Sequence, residues 1–416
     1  MNRSTARILT THVGSLVRPG PIAEVLRAES LGQTIDAGAF ERLLGPAVAD
    51  VVRKQVEVGV DVPSDGEFGK TMWTQYVAER LGGIERRDLP PSAAAATNSK
   101  DRQDFADFYA VYNPISVTMW LDPVVLEHLN GAPLQSPGRW ICTQPITYKG
   151  RPALQRDIVN FKSALQAVTT EDAFLPLAAP ASVEASVPNE YYASDEEYVY
   201  ALADALREEY LQVVEAGLIL QVDDAFIPYN YDRMMLQGVS MEQYRKHCEM
   251  RIDAVNHALR GIPEDRIRYH ICWGSWAGPH TSDVPLADIV DLVLRVHAQA
   301  YSVEAANPRH EYEWKVWRDV RLPEGKILIP GVITHSTNVV EHPETVAERI
   351  ERYASVVGRE NVIAGTDCGF AQGWTMNRTH PSVQWAKLQA LADGARLASQ
   401  RLWETPSASA SSGRRT

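Results

Sequence analysis

Short apolar runs alternate along this chain with longer stretches in which apolar residues recur at helical spacing. The runs at 8–15 (ILTTHVGS), 61–67 (DVPSDGE), 174–178 (FLPLA), 218–223 (LILQVD), 268–272 (YHIC and its preceding Arg), 300–304 (AYSVE), 327–333 (ILIPGVI) and 361–367 (NVIAGTD) read as strands. Between most of them lie amphipathic stretches of helical period. One runs from Asp195 and stops before Gly217, a residue suited to the left-handed cap. Another starts at Pro343 and stops before Gly358. Eight strands alternating with helices predict an α/β chain with a parallel sheet, and the count suits a closed (β/α)8 TIM barrel. An open doubly wound sheet is the alternative, but no G-x-G-x-x-G follows the first strand.

Residues 88–170 break this rhythm with an alanine run (Ala93–Ala96), an aromatic patch (Phe105, Phe108, Tyr109, Tyr112) and the segment RWICTQPITYKG. They read as a long insertion after the second strand, a lid with its own hairpin. The expected organisation is one barrel over 1–400, with 88–170 as the insertion and 401–416, rich in Ser and Ala, as a disordered tail.

The 416 residues carry a net charge of −12, which disfavours binding to a phosphate backbone, so no nucleic-acid partner is expected. No apolar run approaches membrane-spanning length, and the first twenty residues hold no signal-like segment. The four cysteines, Cys142, Cys248, Cys272 and Cys368, have no regular short spacing. They fit a reducing, cytoplasmic setting rather than a disulfide framework. Self-association as a homo-oligomer is left open.

In a barrel of this kind functional side chains gather at the C-terminal strand ends. His270 and Cys272 stand two residues apart at one such end and so share a face. Glu304 ends the next strand and Cys368 the last one. One His, two Cys and a carboxylate make a donor set suited to Zn2+. The plainer reading of each is a small core cysteine or a hydrogen-bonded strand histidine.

Six motifs come in the order of one family. They are GSL at 14–16, DGE at 65–67, LQVDD at 220–224, HIC at 270–272, THSTN at 334–338 and TDCG at 366–369. The chain resembles the catalytic domain of cobalamin-independent methionine synthase and its single-barrel relatives, which include epoxyalkane:coenzyme M transferase. The resemblance covers most of residues 8–400 outside the insertion. It implies a (β/α)8 barrel with zinc held by His270, Cys272, Glu304 and Cys368. It also implies transfer of an alkyl group, methyl foremost, to a small thiol that reacts as a zinc-bound thiolate, with Glu304 as the ligand that yields. Glu67 and Asp223 match the carboxylates that hold the amino group of homocysteine. Ser15 matches the segment that meets the amino acid's carboxylate, and Arg18 is near enough in sequence to add a fork to an anion. His335 matches the histidine that protonates the leaving nitrogen of methylfolate. Asp367 precedes Cys368 and is placed to orient that ligand.

The match has departures. Full-length methionine synthases carry two barrels, and this chain has room for one. The tryptophan on which the family stacks the pterin falls near Ser186, followed by Asn189, Tyr191 and Tyr192. The donor therefore stays open among methylfolate, a methyl corrinoid protein and another activated alkyl group. The acceptor leans to homocysteine, because two carboxylates favour an ammonium. The rival chemistry is epoxide opening by a coenzyme M-type thiol. A rival of another class is a metal-free lyase or binding protein built like uroporphyrinogen decarboxylase.

Overall fold

The computed structural model describes residues 1–30, 32–87, 99–111, 139–374 and 377–403. Nine strands occur among them: β1 (Leu9–Thr10), β2 (Leu81–Arg87), β3 (Arg139–Tyr148), β4 (Phe174–Ala178), β5 (Ile219–Asp223), β6 (Ile267–His270), β7 (Ala300–Glu304), β8 (Ile327–Ile333) and β9 (Ile363–Thr366). Seven form one parallel sheet in the order β1-β9-β8-β7-β6-β5-β4. The gap between β1 and β4 is filled by extended chain around Val62. Thr11 and Val62 bridge in parallel. The Asp61 and Val62 N–H groups donate to Thr10 O at 3.1 and 3.0 Å, and Phe174 N–H donates to Pro63 O at 3.1 Å. With this eighth segment the sheet closes, and the architecture is the (β/α)8 TIM barrel that the alternation of apolar runs predicts.

Every residue of β4 through β9 is buried. This accounts for their continuous apolar character, since helices cover the outer face and side chains fill the interior. One interior filler is a charge. Arg268 donates to Thr11 Oγ1 at 2.9 Å and to His12 O at 2.8 Å, and its guanidinium lies 4.0 Å over the Phe174 ring. Each hydrogen bond offsets desolvation that an unpaired buried cation would suffer in full.

The outer helices begin and end where their sequences demand. Ser194 accepts from Glu197 N–H to cap Asp195–Glu215, whose first turn carries three acidic residues facing the positive helix end. That helix stops at Gly217, where φ is +87°. Ser240 and Gln243 form a reciprocal capping box at the start of Met241–Leu259. None of the described helices is long and apolar enough to cross a membrane.

The stretch read as an insertion divides into parts. β2 and β3 make an antiparallel hairpin that starts at Leu81, ahead of residue 88. Two short helices, Lys100–Asp104 and Ala106–Val111, follow β2. The helix Arg151–Leu165 packs on Ala37–Glu57 and so stands with the outer helices of the barrel. The alanine run and Tyr112 lie outside the described residues. At the other end the helix Pro381–Trp403 includes 401–403, and the rest of the expected tail, 404–416, is also outside the described residues.

Candidate active site

A cavity of about 300 Å³ opens at the C-terminal ends of the barrel strands. On its wall β6 ends at His270, so Cys272 is the second residue of the following loop. Cys368 lies two residues past the end of β9. His270, Cys272 and Cys368 bring their donor atoms within 4.8 Å of one another, all buried. The two sulfurs are 3.7 Å apart. Ser302, in register with His270 on the neighbouring strand, shares a 3.1 Å hydrogen bond with His270 Nδ1. The other ring nitrogen, Nε2, is buried without a protein partner. A buried acceptor with no partner is costly unless something fills its lone pair. Two thiols and an imidazole so arranged fit a tetrahedral zinc ion. The neighbouring Cys272 thiol, and after it the His270 imidazole, hold the Cys368 thiol well below its usual range in spite of burial.

Glu304, the fourth expected ligand, stands outside this trio. One of its oxygens accepts from Trp273 N–H at 2.8 Å and the other from Asn307 Nδ2 at 2.9 Å. Its carboxylate thus braces the loop that carries Cys272.

Ser15, Glu67 and Asp223 line the same cavity as the trio. Ser15 follows Gly14, whose φ is +124° and whose place would put a Cβ 2.6 Å from the Pro176 ring. Only glycine lets the chain pass there. Glu67 does not end a strand. Asp65 Oδ1 accepts from Glu67 N–H at 2.9 Å, Gly66 has φ +72°, and Glu67 itself has φ +60°. This left-handed turn, uncommon for a residue with a Cβ, throws the carboxylate inward. Its Oε1 lies 3.3 Å from Lys70 Nζ, with both side chains 3% exposed, while Oε2 is buried with no partner. Asp223 Oδ1 accepts from Gln221 Nε2 at 2.7 Å. Burial pushes the Asp223 carboxyl up to about 8.

Besides Glu304, three expected site residues do not line the cavity. Arg18 spends its fork on the framework, donating to Glu67 O at 2.9 Å, Lys70 O at 3.2 Å and Ala371 O at 3.4 Å. It ties the loops that bear Ser15, Glu67 and Gly369 together rather than reading a ligand. His335 is 1% exposed with both ring nitrogens unpartnered, and desolvation lowers it to about 4. Asp367 Oδ1 accepts from Ala305 N–H at 2.7 Å and Ala306 N–H at 2.9 Å, fixing the chain after Glu304.

The outer half of the cavity is aromatic and was not legible as such in the sequence. Trp73, Phe226, Tyr229 and Trp276 line it, with Tyr109 and Arg102 from the insertion and with Arg233 and Arg378. Phe226 stacks on Trp73 at 6.2 Å and meets Tyr229 edge-on at 5.4 Å, and Tyr229 meets Trp276 in the same way at 5.4 Å. Trp317 is core, and Tyr312 is exposed. Tyr192 stacks on Tyr198 at 5.7 Å, and neither it nor Tyr191 lines the cavity.

The insertion is latched to this wall by Asp101, which is 1% exposed. Its carboxylate accepts from Thr281 N–H and Oγ1 at 3.1 and 2.9 Å and from the Tyr109 hydroxyl at 2.9 Å. Replacing Asp101 with Ala removes all three. Hydrogen bonds to a charged group contribute about 1.5–3 kcal/mol, so the amides of 99–111 should exchange roughly tenfold to a hundredfold faster in the variant. Unchanged exchange over 99–111 would show that another contact holds the insertion.

A family model described as the catalytic domain of cobalamin-independent synthase matches residues 130–390, more than half of the chain. The chain belongs to that cobalamin-independent synthase family. It is 24% identical over 364 residues to a methionine synthase of Sulfolobus acidocaldarius, a match covering 86% of this chain and 85% of the relative. A methionine synthase of Saccharolobus islandicus is 23% identical over 94% of this chain and 95% of its own length. Among solved structures, a B12-independent methionine synthase from Shewanella sp. W3-18-1 in complex with selenomethionine superposes with a TM-score of 0.69. That match has 19% identity and covers 95% of this chain and 99% of the other. A putative vitamin-B12-independent methionine synthase from Listeria monocytogenes gives 0.62 at 20% identity, covering 96% of this chain and all of the other. Within the family barrel, five of the six short motifs contribute residues that line the cavity, and THSTN at 334–338 does not.

Proposed function

We propose that this chain transfers an alkyl group, methyl foremost, to the sulfur of a small amino-acid thiol, with homocysteine the favoured acceptor. The observation that carries the reading is the shared cavity. A buried His270/Cys272/Cys368 trio and the carboxylates of Glu67 and Asp223 face one space. The methionine synthase relatives support methyl as the group and homocysteine as the acceptor. The trio would hold zinc, which when bound supplies the charge that lets a thiol react as thiolate near neutral pH.

The chain's own residues do the rest. Ser302 orients the His270 ring so that Nε2 faces the two sulfurs. Glu304 and Asp367 fix the loops on either side. Glu67 Oε2 and Asp223 offer acceptors to an ammonium, while Lys70 faces Glu67 Oε1. The aromatic wall, with Arg102 and Arg233, suits an apolar or flat donor of small-molecule size, because the cavity of about 300 Å³ carries insertion residues on its outer side.

The test is an acceptor-by-donor screen read as alkylated thiol, with homocysteine set against its des-amino analogue, 4-sulfanylbutanoate. The amine should improve binding by roughly tenfold to a hundredfold, the worth of one charge-assisted hydrogen bond. Glu67→Gln should erase most of that gap and leave metal content unchanged. Equal affinity for the two thiols in the wild type would remove the clamp and with it the amino-acid acceptor.

A further inference from the structure

The loop after β6 holds one end of a buried ionic chain that neither the six motifs nor the acceptor site uses. His280 Nδ1 lies 2.8 Å from Asp283 Oδ2, and its Nε2 lies 2.9 Å from Trp276 O. His310 Nε2 lies 2.9 Å from the same Asp283 oxygen, and its Nδ1 lies 3.0 Å from Glu313 Oε2. Each ring nitrogen faces an oxygen that accepts, so both imidazoles donate twice and are cations. Burial by itself would lower His310, but Asp283 and Glu313 outweigh it and raise it to about 10. None of the four side chains is more than 6% exposed. Two cations and two carboxylates balance one another there without solvent.

His280 sits at φ +56°, and among the described residues only Glu67 shares a positive φ without being glycine. Such a backbone persists where its surroundings over-determine it. The surroundings of His280 include Trp276, on whose indole the imidazolium stacks at 4.0 Å with the rings 26° apart. Gly274 and Gly278 lie so close that a Cβ on either would run into the same indole. Trp276 Nε1 donates to the Tyr109 hydroxyl at 3.1 Å, and Tyr229 meets the ring edge-on. One indole of the cavity wall is thus fixed by its own loop's backbone, by an imidazolium and by two tyrosines.

We infer that His280 is a positioning residue for the alkyl donor, and that it sets the Trp276 indole as a rigid platform on which a flat donor packs. Trp276 lines the cavity and His280 does not, so His280 acts through the indole. The inference rests on the aromatic wall being the donor side, and it adds which ring of that wall is held to a fixed geometry and what holds it. A cation is attracted to an aromatic face, and the two hydrogen bonds of His280 keep the cation on this one. A ring ordered in advance gives up no freedom when the donor binds.

The experiment uses the full-length, metal-loaded chain with homocysteine and two methyl donors. Methyltetrahydrofolate carries a flat ring system, and iodomethane is too small to need a platform. His280→Asn removes the imidazole and leaves a residue that tolerates the left-handed backbone. KM for methyltetrahydrofolate should rise roughly twofold to tenfold, the worth of one aromatic contact, while kcat, homocysteine affinity and zinc content hold. The loss should be confined to this donor and spare iodomethane. The fluorescence that Trp276→Phe removes from the wild-type spectrum marks this indole, and in His280→Asn that component should become open to acrylamide quenching. Equal losses with both donors would show a general structural role and overturn the assignment, as would an unaltered KM or an unaltered quenching of Trp276. Turnover of iodomethane alone by the wild type would overturn the platform together with the flat donor and leave the thiol site standing. Turnover of neither donor by the wild type would remove alkyl transfer itself, and the assignment with it.

Discussion

A Cys272→Ser, Cys368→Ser double variant is expected to lose both its metal and its alkyl-transfer activity while keeping the barrel fold. The wild-type chain purified without chelator should hold about one zinc per chain, as a single His/Cys/Cys-centred site implies. Serine is close in size to cysteine, so the loss is chemical. A neutral hydroxyl replaces a soft donor that binds as thiolate. Burial supports the specificity of this outcome, because the described cavity brings together just these three donors. Elemental analysis and turnover of homocysteine check it, and circular dichroism checks the fold. Zinc retained in full by the double variant would refute the site. A companion measurement concerns Glu304. Its carboxylate is already engaged by Trp273 N–H and Asn307. Glu304→Gln should therefore weaken metal binding by roughly tenfold to a hundredfold, the scale of a group that orients ligands, rather than abolish it.

The barrel was legible because its strands are buried on both faces and so appear as unbroken apolar runs. The runs at 174–178, 300–304 and 327–333 coincide with β4, β7 and β8. The trio was legible for the same reason, since strand ends in a barrel all point to one mouth. The failures arise where tertiary packing outweighs spacing. Arg18 is three residues from Ser15, but sequence proximity says nothing about the unsatisfied carbonyls of Glu67, Lys70 and Ala371 that claim its guanidinium. Glu67 is read as a strand end, although an Asp65 side-chain bond and Gly66 turn the chain first. His335 carries a family position, yet burial leaves both its ring nitrogens without a partner among the described residues. The aromatic wall was not legible as a unit, because Trp73, Phe226, Trp276 and Tyr109 come from four separate segments of the chain and no period connects them.

The largest expected loss of stability follows Arg80→Met. Arg80 closes the helix Gln75–Arg80 just before the insertion hairpin, and its side chain is 6% exposed. It donates to Asp157 Oδ2 at 2.5 Å on the helix Arg151–Leu165 and to Glu209 Oε1 at 3.0 Å on the helix Asp195–Glu215. The two carboxylates are 4% and 1% exposed. The Tyr148 hydroxyl of β3 also donates to Glu209 Oε1 at 3.0 Å. One guanidinium thus clips two barrel helices to the base of the insertion. Removing one partner of a buried ion pair costs about 3–5 kcal/mol, because the other charges remain without it. This is a large part of the roughly 5–15 kcal/mol that holds a domain folded. The effect carries a pH signature. Burial by itself would raise Asp157, but Arg156 and Arg80 outweigh it and hold the carboxyl below its ordinary value. A depressed folded pKa gives stability that is present above the unfolded value of about 3.9 and lost as pH falls through the folded value. The variant lacks Arg80's share of that contribution. Urea midpoints for the two chains should therefore differ most above about pH 4, and the gap should narrow as pH falls below it. A gap independent of pH would mean that Arg80 acts through packing on the Tyr76 ring, 4.8 Å away, rather than through its charge.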